Sequence, residues 1–230
     1  MKKTITGILC MVLLAGCAGT GKQSSGASRK SSETVSVKEQ YESLNGKKND
    51  SGKVMRTISI PADNPFEEVG ADDIVKKTQD GDTFYVYFGD PLCPWCRSVI
   101  EEAVSVAKEK NISKIYYVDI WNDKGDEILR DQYELEKGKP VQKKKGTDAY
   151  YDLLDLYGDV LSDYTLSDDH DNTYQVGEKR IYVPDYIYVR DGKAVRITDG
   201  TSDLETDPYM DLSDEMLADE KQKFEEFFTE

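Results

Sequence analysis

Apolar and polar positions follow two different rhythms along this chain, and the switches between them mark its elements. Thr83-Phe84-Tyr85-Val86-Tyr87-Phe88 is an unbroken β-branched and aromatic run, the composition of a buried strand. Further on, Val99, Ile100, Ala103, Val104 and Ala107 recur at helical spacing, with Glu101, Glu102 and Lys108 on the other side, which predicts an amphipathic helix. Ile112 to Ile120 predicts a second core strand, and Ala71 to Thr78 a short helix that turns through Gly81-Asp82 into the first. Strand character returns over Ile181 to Val189. Asp191-Gly192 then predicts a hairpin turn into Ala194 to Thr198. Leu212 to Phe228 predicts a closing helix with Ser213 as its N-cap, and Val54 to Ile60 a short first strand stopped by Pro61.

The stretch from about 121 to 175 carries no strong strand signal. Asp126 to Glu136 and Asp148 to Asp163 have helical periodicity, with the basic loop Lys143-Lys144-Lys145-Gly146 between them. The predicted order is βαβαβ, a helical insertion, then ββα. That describes an α/β domain over residues 55–230, about 175 residues and large enough for its own core.

Upstream of it, residues 17–54 are rich in Gly, Ser, Lys, Glu and Asn and read as a flexible tether. Residues 1–16 have the build of a secretory leader: positive Lys2 and Lys3, then an apolar run from Ile5 to Leu14 that is short for a membrane span. The formal charge is −15, and loss of the two charges of Lys2 and Lys3 makes it −17. Such acidity argues against nucleic acid as a partner and against adhesion to anionic headgroups.

Between the central strand and its helix stands Cys93-Pro94-Trp95-Cys96. A strand, a tight turn holding C-x-x-C and then a helix is the setting in which this motif reads as redox chemistry. Cys93 falls at the helix N-terminus, where unpaired N–H groups and the dipole lower a thiol pKa, with Arg97 adding to the effect and Asp90 opposing it. Cys96, one turn further in, is the candidate resolving thiol. Pro94 suits the first helical turn, and Trp95 offers an apolar surface beside the reactive sulfur. The pair could instead be half of a zinc site, but four ligands are needed and the chain has one histidine, His170, in an acidic loop. No metal or other cofactor is implied.

Two resemblances complete the picture. Leu14-Ala15-Gly16-Cys17 resembles the lipobox of bacterial lipoproteins. That implies cleavage before Cys17, a diacylglycerol on its sulfur and anchorage on the extracytoplasmic face of the cell membrane. Cys10 would leave with the leader, so Cys93 and Cys96 become the only thiol pair of the mature chain.

Strand, C-P-W-C, helix, strand and a later Val183-Pro184 opening a hairpin resemble the thioredoxin superfamily, over residues 56 to the C-terminus. The resemblance implies a three-layer fold, a central mixed sheet flanked by helices, with the helical insertion placed before a cis-proline strand. It also implies that Val183-Pro184 is the cis-proline bond against the redox pair, where Trp95, Val183 and Pro184 line a groove for an extended substrate segment. The function implied is thiol-disulfide exchange on cysteines of exported proteins, with a separate redox partner to recycle the pair. The alternative is a non-catalytic binding lipoprotein whose C-x-x-C is a structural disulfide. Thioredoxin-type reductases carry a buried acid six residues before the first cysteine; this chain has Tyr87 there, which leaves the redox direction open.

Overall fold

The computed structural model describes residues 35–49, 51–121 and 127–229. The leader at 1–16 and the lipidation candidate Cys17 lie outside them. Among the described residues no helix is long and apolar enough to cross a membrane.

In chain order the elements are α1 (Val37–Glu42), β1 (Phe66–Glu68), α2 (Ala71–Gln79), β2 (Phe84–Gly89), α3 (Pro94–Glu109) and β3 (Ile115–Asp119). Two hairpins and a helix follow: β4 (Gln132–Glu136), β5 (Lys139–Lys144), α4 (Asp148–Tyr157), β6 (Ser162–Ser167) and β7 (Thr173–Arg180). The chain closes with β8 (Asp185–Arg190), β9 (Lys193–Thr198) and α5 (Asp214–Phe227).

The result is a mixed α/β fold around a five-stranded mixed sheet of order β1-β3-β2-β8-β9. β1, β3 and β2 run parallel, β8 is antiparallel to β2, and β9 is antiparallel to β8. Strand alternation sorts the apolar side chains onto two faces. Tyr87, Tyr117, Tyr186 and Tyr188 pack with residues of α1, α3 and α5, while Phe84, Val86, Phe88, Val118, Ile187 and Val189 pack with residues of α2 and α4. Helices therefore cover both faces of the sheet.

The expected central strand, its helix, the second core strand and the closing helix all form, and the Ser213 hydroxyl caps α5 by accepting from Met216 N–H at 3.3 Å. The β8–β9 turn has Asp191 at φ 50° and Gly192 at φ 72°, the left-handed pair that a two-residue hairpin needs. A Cβ on Gly192 would sit 2.4 Å from the Thr78 carbonyl oxygen. Gly192→Ala is expected to cost about 2 kcal/mol from the turn conformation and this clash together. Urea unfolding checks this, and a loss within about 0.5 kcal/mol of zero would mean the α2 end moves aside freely.

Three expectations are corrected. The 17–54 tether is shorter than predicted, because α1 lies inside it and Val37, Tyr41 and Leu44 are buried. Val54 to Ile60 forms no strand: it runs as an extended segment in which Met55, Ile58 and Ile60 are buried, with one isolated bridge from Lys48 to Val54. The 121–175 insertion is mostly β rather than helical. Of the stretch expected as a helix from Asp126 to Glu136, Asp126 lies outside the described residues and the rest supplies β4, not a helix; α4 stops at Tyr157 before the β6–β7 hairpin. Lys143 and Lys144 belong to β5 rather than to a loop.

Candidate redox site

α3 begins where the sheet ends. β2 carries the chain to Gly89, and Asp90 to Leu92 turn it back so that Cys93 is the N-cap and Pro94 the first residue of α3. Asp90 fixes this turn, accepting from Leu92 N–H at 2.7 Å and from the Trp121 ring N–H at 2.9 Å. Cys93 and Trp95 are half-buried, whereas Cys96 is wholly buried among core side chains.

Val183–Pro184 is a cis peptide bond. Val183 is half-buried and Pro184 buried, and the Cys93 thiol donates to the Val183 carbonyl at 3.5 Å. The structure therefore brings Cys93 together with the 183–184 bond from a distant part of the sequence. The turn before that bond is held by Asp185, whose carboxylate accepts from Tyr182 N–H at 2.7 Å. Burial pushes the Asp185 carboxyl well above the usual carboxylate range, against the lowering effect of that hydrogen bond.

The two thiols are driven apart electrostatically. Cys93 is held below the ordinary thiol range, chiefly by a hydrogen bond from the Cys96 thiol. The Cys96 and Trp95 backbone N–H groups help; burial and the Asp90 charge oppose. Cys96 is pushed well above the ordinary range, first by burial and then by Cys93 and Asp90. Against these, a hydrogen bond with the Tyr87 hydroxyl lowers it. The helix N-terminus thus acts on Cys93 as its sequence position implied, while the neighbouring thiol has the larger effect.

Arg97 does not serve the thiolate in the expected way. It is fully buried and turns away to the protein interior, where its guanidinium makes five hydrogen bonds to four oxygens. These are the Arg56 carbonyl (3.1 and 2.6 Å), the Tyr41 carbonyl (2.9 Å), the Pro91 carbonyl (3.2 Å) and Asn45 Oδ1 (2.6 Å). Arg97 therefore ties the chain around α1 and Arg56 to the turn that carries Cys93.

Sequence reasoning missed the residues that α1 and the 199–213 segment bring to the site. The Tyr41 and Tyr87 hydroxyls lie 2.7 Å apart, both side chains wholly buried. Tyr209 stands close enough to Cys93 for their charges to interact, and its hydroxyl accepts from Asn49 Nδ2 at 2.6 Å. On the other side of α3, Ser98 donates to Glu205 at 2.6 Å and Arg56 pairs with the same carboxylate at 3.2 Å. Beside them Glu220 of α5 is fully buried, and neither carboxylate oxygen has a hydrogen-bond partner among the described residues.

Away from the thiols, the acidic stretch around His170 is a turn closed on itself. Asp168 accepts from the Asn172 side chain, from the His170 and Asn172 N–H groups and from the Tyr174 hydroxyl, and these hold its carboxyl down at about 2. Among the described residues no group of three or more His, Cys, Asp or Glu side chains is placed to hold a metal ion.

The constellation can perform thiol-disulfide exchange: an accessible low-pKa sulfur, a buried partner sulfur one turn away, and a cis peptide bond whose carbonyl meets the first sulfur. No protein-family model matches this chain, and no curated protein matches it.

Proposed function

We propose that this protein is a lipid-anchored, extracytoplasmic thiol-disulfide oxidoreductase of thioredoxin-like fold, acting on cysteines of exported proteins through Cys93 and Cys96. The observation that carries the reading is the Cys93 thiol at the helix N-cap, half-exposed and 3.5 Å from the carbonyl of the cis Val183–Pro184 bond. A sheet covered by helices on both faces, with C-P-W-C opening α3, supports the same fold assignment. The anchor rests on the Leu14-Ala15-Gly16-Cys17 string.

In the reducing direction the Cys93 thiolate attacks a substrate disulfide, forms a mixed disulfide and releases one substrate thiolate. Cys96 sulfur then attacks Cys93 sulfur. The protein disulfide forms, the second substrate sulfur leaves as a thiol with the Cys96 proton, and two electrons have passed to the substrate. Oxidation of a substrate dithiol runs the same steps backwards. A dithiol or disulfide partner resets the pair. Trp95 and Val183 are the half-buried surfaces that a substrate segment would meet beside Cys93.

Cys96→Ser is expected to accumulate mixed disulfides with exported proteins in the native membrane, and all of them should disappear when Cys93 is also replaced by Ala. Non-reducing gels and mass spectrometry read the result. If no adducts form, and Cys93→Ala leaves the cell phenotype unchanged, the non-catalytic binding reading takes its place.

A further inference from the structure

Two backbone segments meet at the redox site without a strand ladder to space them. The pairing of β2 with β8 ends at Phe88 and Asp185. Past that pair, residues 90–93 leave one strand and residues 181–184 lead into the other, both outside the sheet. A direct contact across the gap is the Cys93 thiol on the Val183 carbonyl at 3.5 Å. A thiol is a weak donor, and this contact is lost when Cys93 ionises or enters a mixed disulfide.

The start of the 121–175 insertion reaches both segments. On one side the Trp121 ring N–H donates to Asp90 Oδ2 at 2.9 Å, and Asp90 Oδ1 accepts from Leu92 N–H at 2.7 Å, inside the turn that carries Cys93. On the other, Arg130 Nη1 donates to the Ile181 carbonyl at 3.2 Å, two residues before Val183. The two arms are joined. Trp121 and Glu127 form an isolated antiparallel bridge, and the Glu127 carboxylate accepts from Arg130 Nε at 2.5 Å. The Ile128 and Leu129 N–H groups both donate to the Ile120 carbonyl, at 3.1 and 3.3 Å, and tie this stretch to the residue after β3. Arg180, which precedes Ile181, donates to the Asp131 carbonyl and Oδ1 at 3.2 and 3.3 Å and lies 4.0 Å from Glu127. Arg130, Asp131 and Arg180 are all buried. A buried ion network often adds no stability over apolar packing of the same volume. This one fixes a direction, because a guanidinium fork sets the angle as well as the distance of what it binds.

We propose that Trp121, Glu127 and Arg130 are positioning residues for the exchange reaction proposed above, on which this inference rests: a brace that holds the Cys93 turn and the Val183–Pro184 loop at the spacing an extended substrate segment needs. They act through the 90–92 turn and the Ile181 backbone rather than on a sulfur. The consequence differs between substrates. A small disulfide needs only the Cys93 sulfur, whereas an extended segment has to meet the sulfur and the loop backbone together. A displacement of about 1 Å between the two is enough to cost one or two orders of magnitude in rate.

Two disulfides offered to the reduced protein test the brace: a small symmetric aromatic disulfide that releases a coloured thiolate, and an extended peptide with one disulfide and a quenched fluorophore. Arg130→Met is expected to slow reduction of the peptide about tenfold and of the aromatic disulfide no more than twofold. Glu127→Gln keeps the size but loses the charge that orients Arg130, and should slow the peptide about threefold with the same preference. Trp121→Phe works on the other arm. Around the Cys93 sulfur, the Cys96 thiol and the Cys96 and Trp95 N–H groups favour the thiolate, burial and the Asp90 charge oppose it, and Tyr209 stands near. Without the Trp121 donor the Asp90 charge is less compensated, so the pH profile of Cys93 attack on the aromatic disulfide should move upward. Equal slowing of both disulfides by Arg130→Met, or no slowing, overturns the proposal, as does a Trp121→Phe profile that stays in place. Should Arg130→Met not fold, Glu127→Gln decides by the same ratio of rates. A wild-type protein that reduces neither disulfide is a separate result: it removes the exchange reading itself, and the brace with it.

Discussion

Arg97→Ala is expected to destabilise the domain by roughly 4 kcal/mol or more. The guanidinium is buried, with no carboxylate paired to it among the described residues, and burial lowers its pKa from the ordinary arginine value. Its charge is tolerated because five hydrogen bonds saturate the fork. Truncation leaves the Arg56 and Pro91 carbonyls facing a void, and the Tyr41 carbonyl and Asn45 Oδ1 with only Leu44 N–H and Ile58 N–H; unmade buried hydrogen bonds cost more than made ones contribute. Three separate parts of the chain lose their common clasp. For a domain of this size the midpoint of thermal unfolding should fall by about 10 °C. Arg97→Lys should recover little, since an ammonium cannot span a fork's acceptors. Urea titration of both variants checks the claim; a loss below about 1 kcal/mol in Arg97→Ala would mean that water takes over all four acceptors.

Glu220→Gln is expected to act in the opposite sense and to stabilise the protein above mildly acidic pH. Burial is the main reason that the Glu220 carboxyl rises from 4.5 to about 8, and repulsion from Glu205 adds to it. Glu205 itself is raised, first by burial, so ionising both is unfavourable. The sign follows from proton counting. Below about pH 4 the group is protonated in folded and unfolded chains alike, and Glu220 has no pH-linked effect. Between 4.5 and 8 the unfolded chain gives up its proton while the folded one keeps it, so stability falls as pH rises; above about 8 the loss is complete. Glutamine removes this dependence. The gain should be near zero at pH 4 and reach about 2–4 kcal/mol at pH 9. Chemical unfolding across that range is the measurement, and a difference independent of pH would show that Glu220 titrates normally.

Much of the scaffold was legible because period and punctuation agree there. β2 is a continuous aromatic run, α3 keeps a clean apolar stripe, and Asp191-Gly192 is chemically committed to a turn. The C-x-x-C motif and Val183-Pro184 could be singled out because few residue types do what they do. The insertion misled because Ile128, Leu129 and Leu135 happen to fit a helical spacing. The strand signal was the alternation Tyr133-Glu134-Leu135-Glu136, followed by a Lys137-Gly138 turn with φ 52° and 73°, a weaker marker than Asp-Gly. α1 was hidden by the polar residues on both sides of it. Its signals were nonetheless present: Ser36 and Glu39 form a capping box, and Val37, Tyr41 and Leu44 share a face. Contacts such as Tyr41 to Tyr87 join residues 46 apart and carry no local signature at all.

The burial of α1 changes where this protein can be cut. A boundary drawn from hydropathy falls near residue 55 and looks generous, since residues 18–54 are rich in Gly, Ser, Lys, Glu and Asn. A chain begun there would lack Tyr41 and Asn45, so Arg97 would keep only the Arg56 and Pro91 carbonyls. Tyr87 would lose the hydroxyl 2.7 Å behind it, and the core face under α3 would lose Val37 and Tyr41. Shortened versions for biochemistry should therefore start before Val35. Proteolysis between Val35 and Asn45 would break the packing around Arg97 rather than release an intact domain.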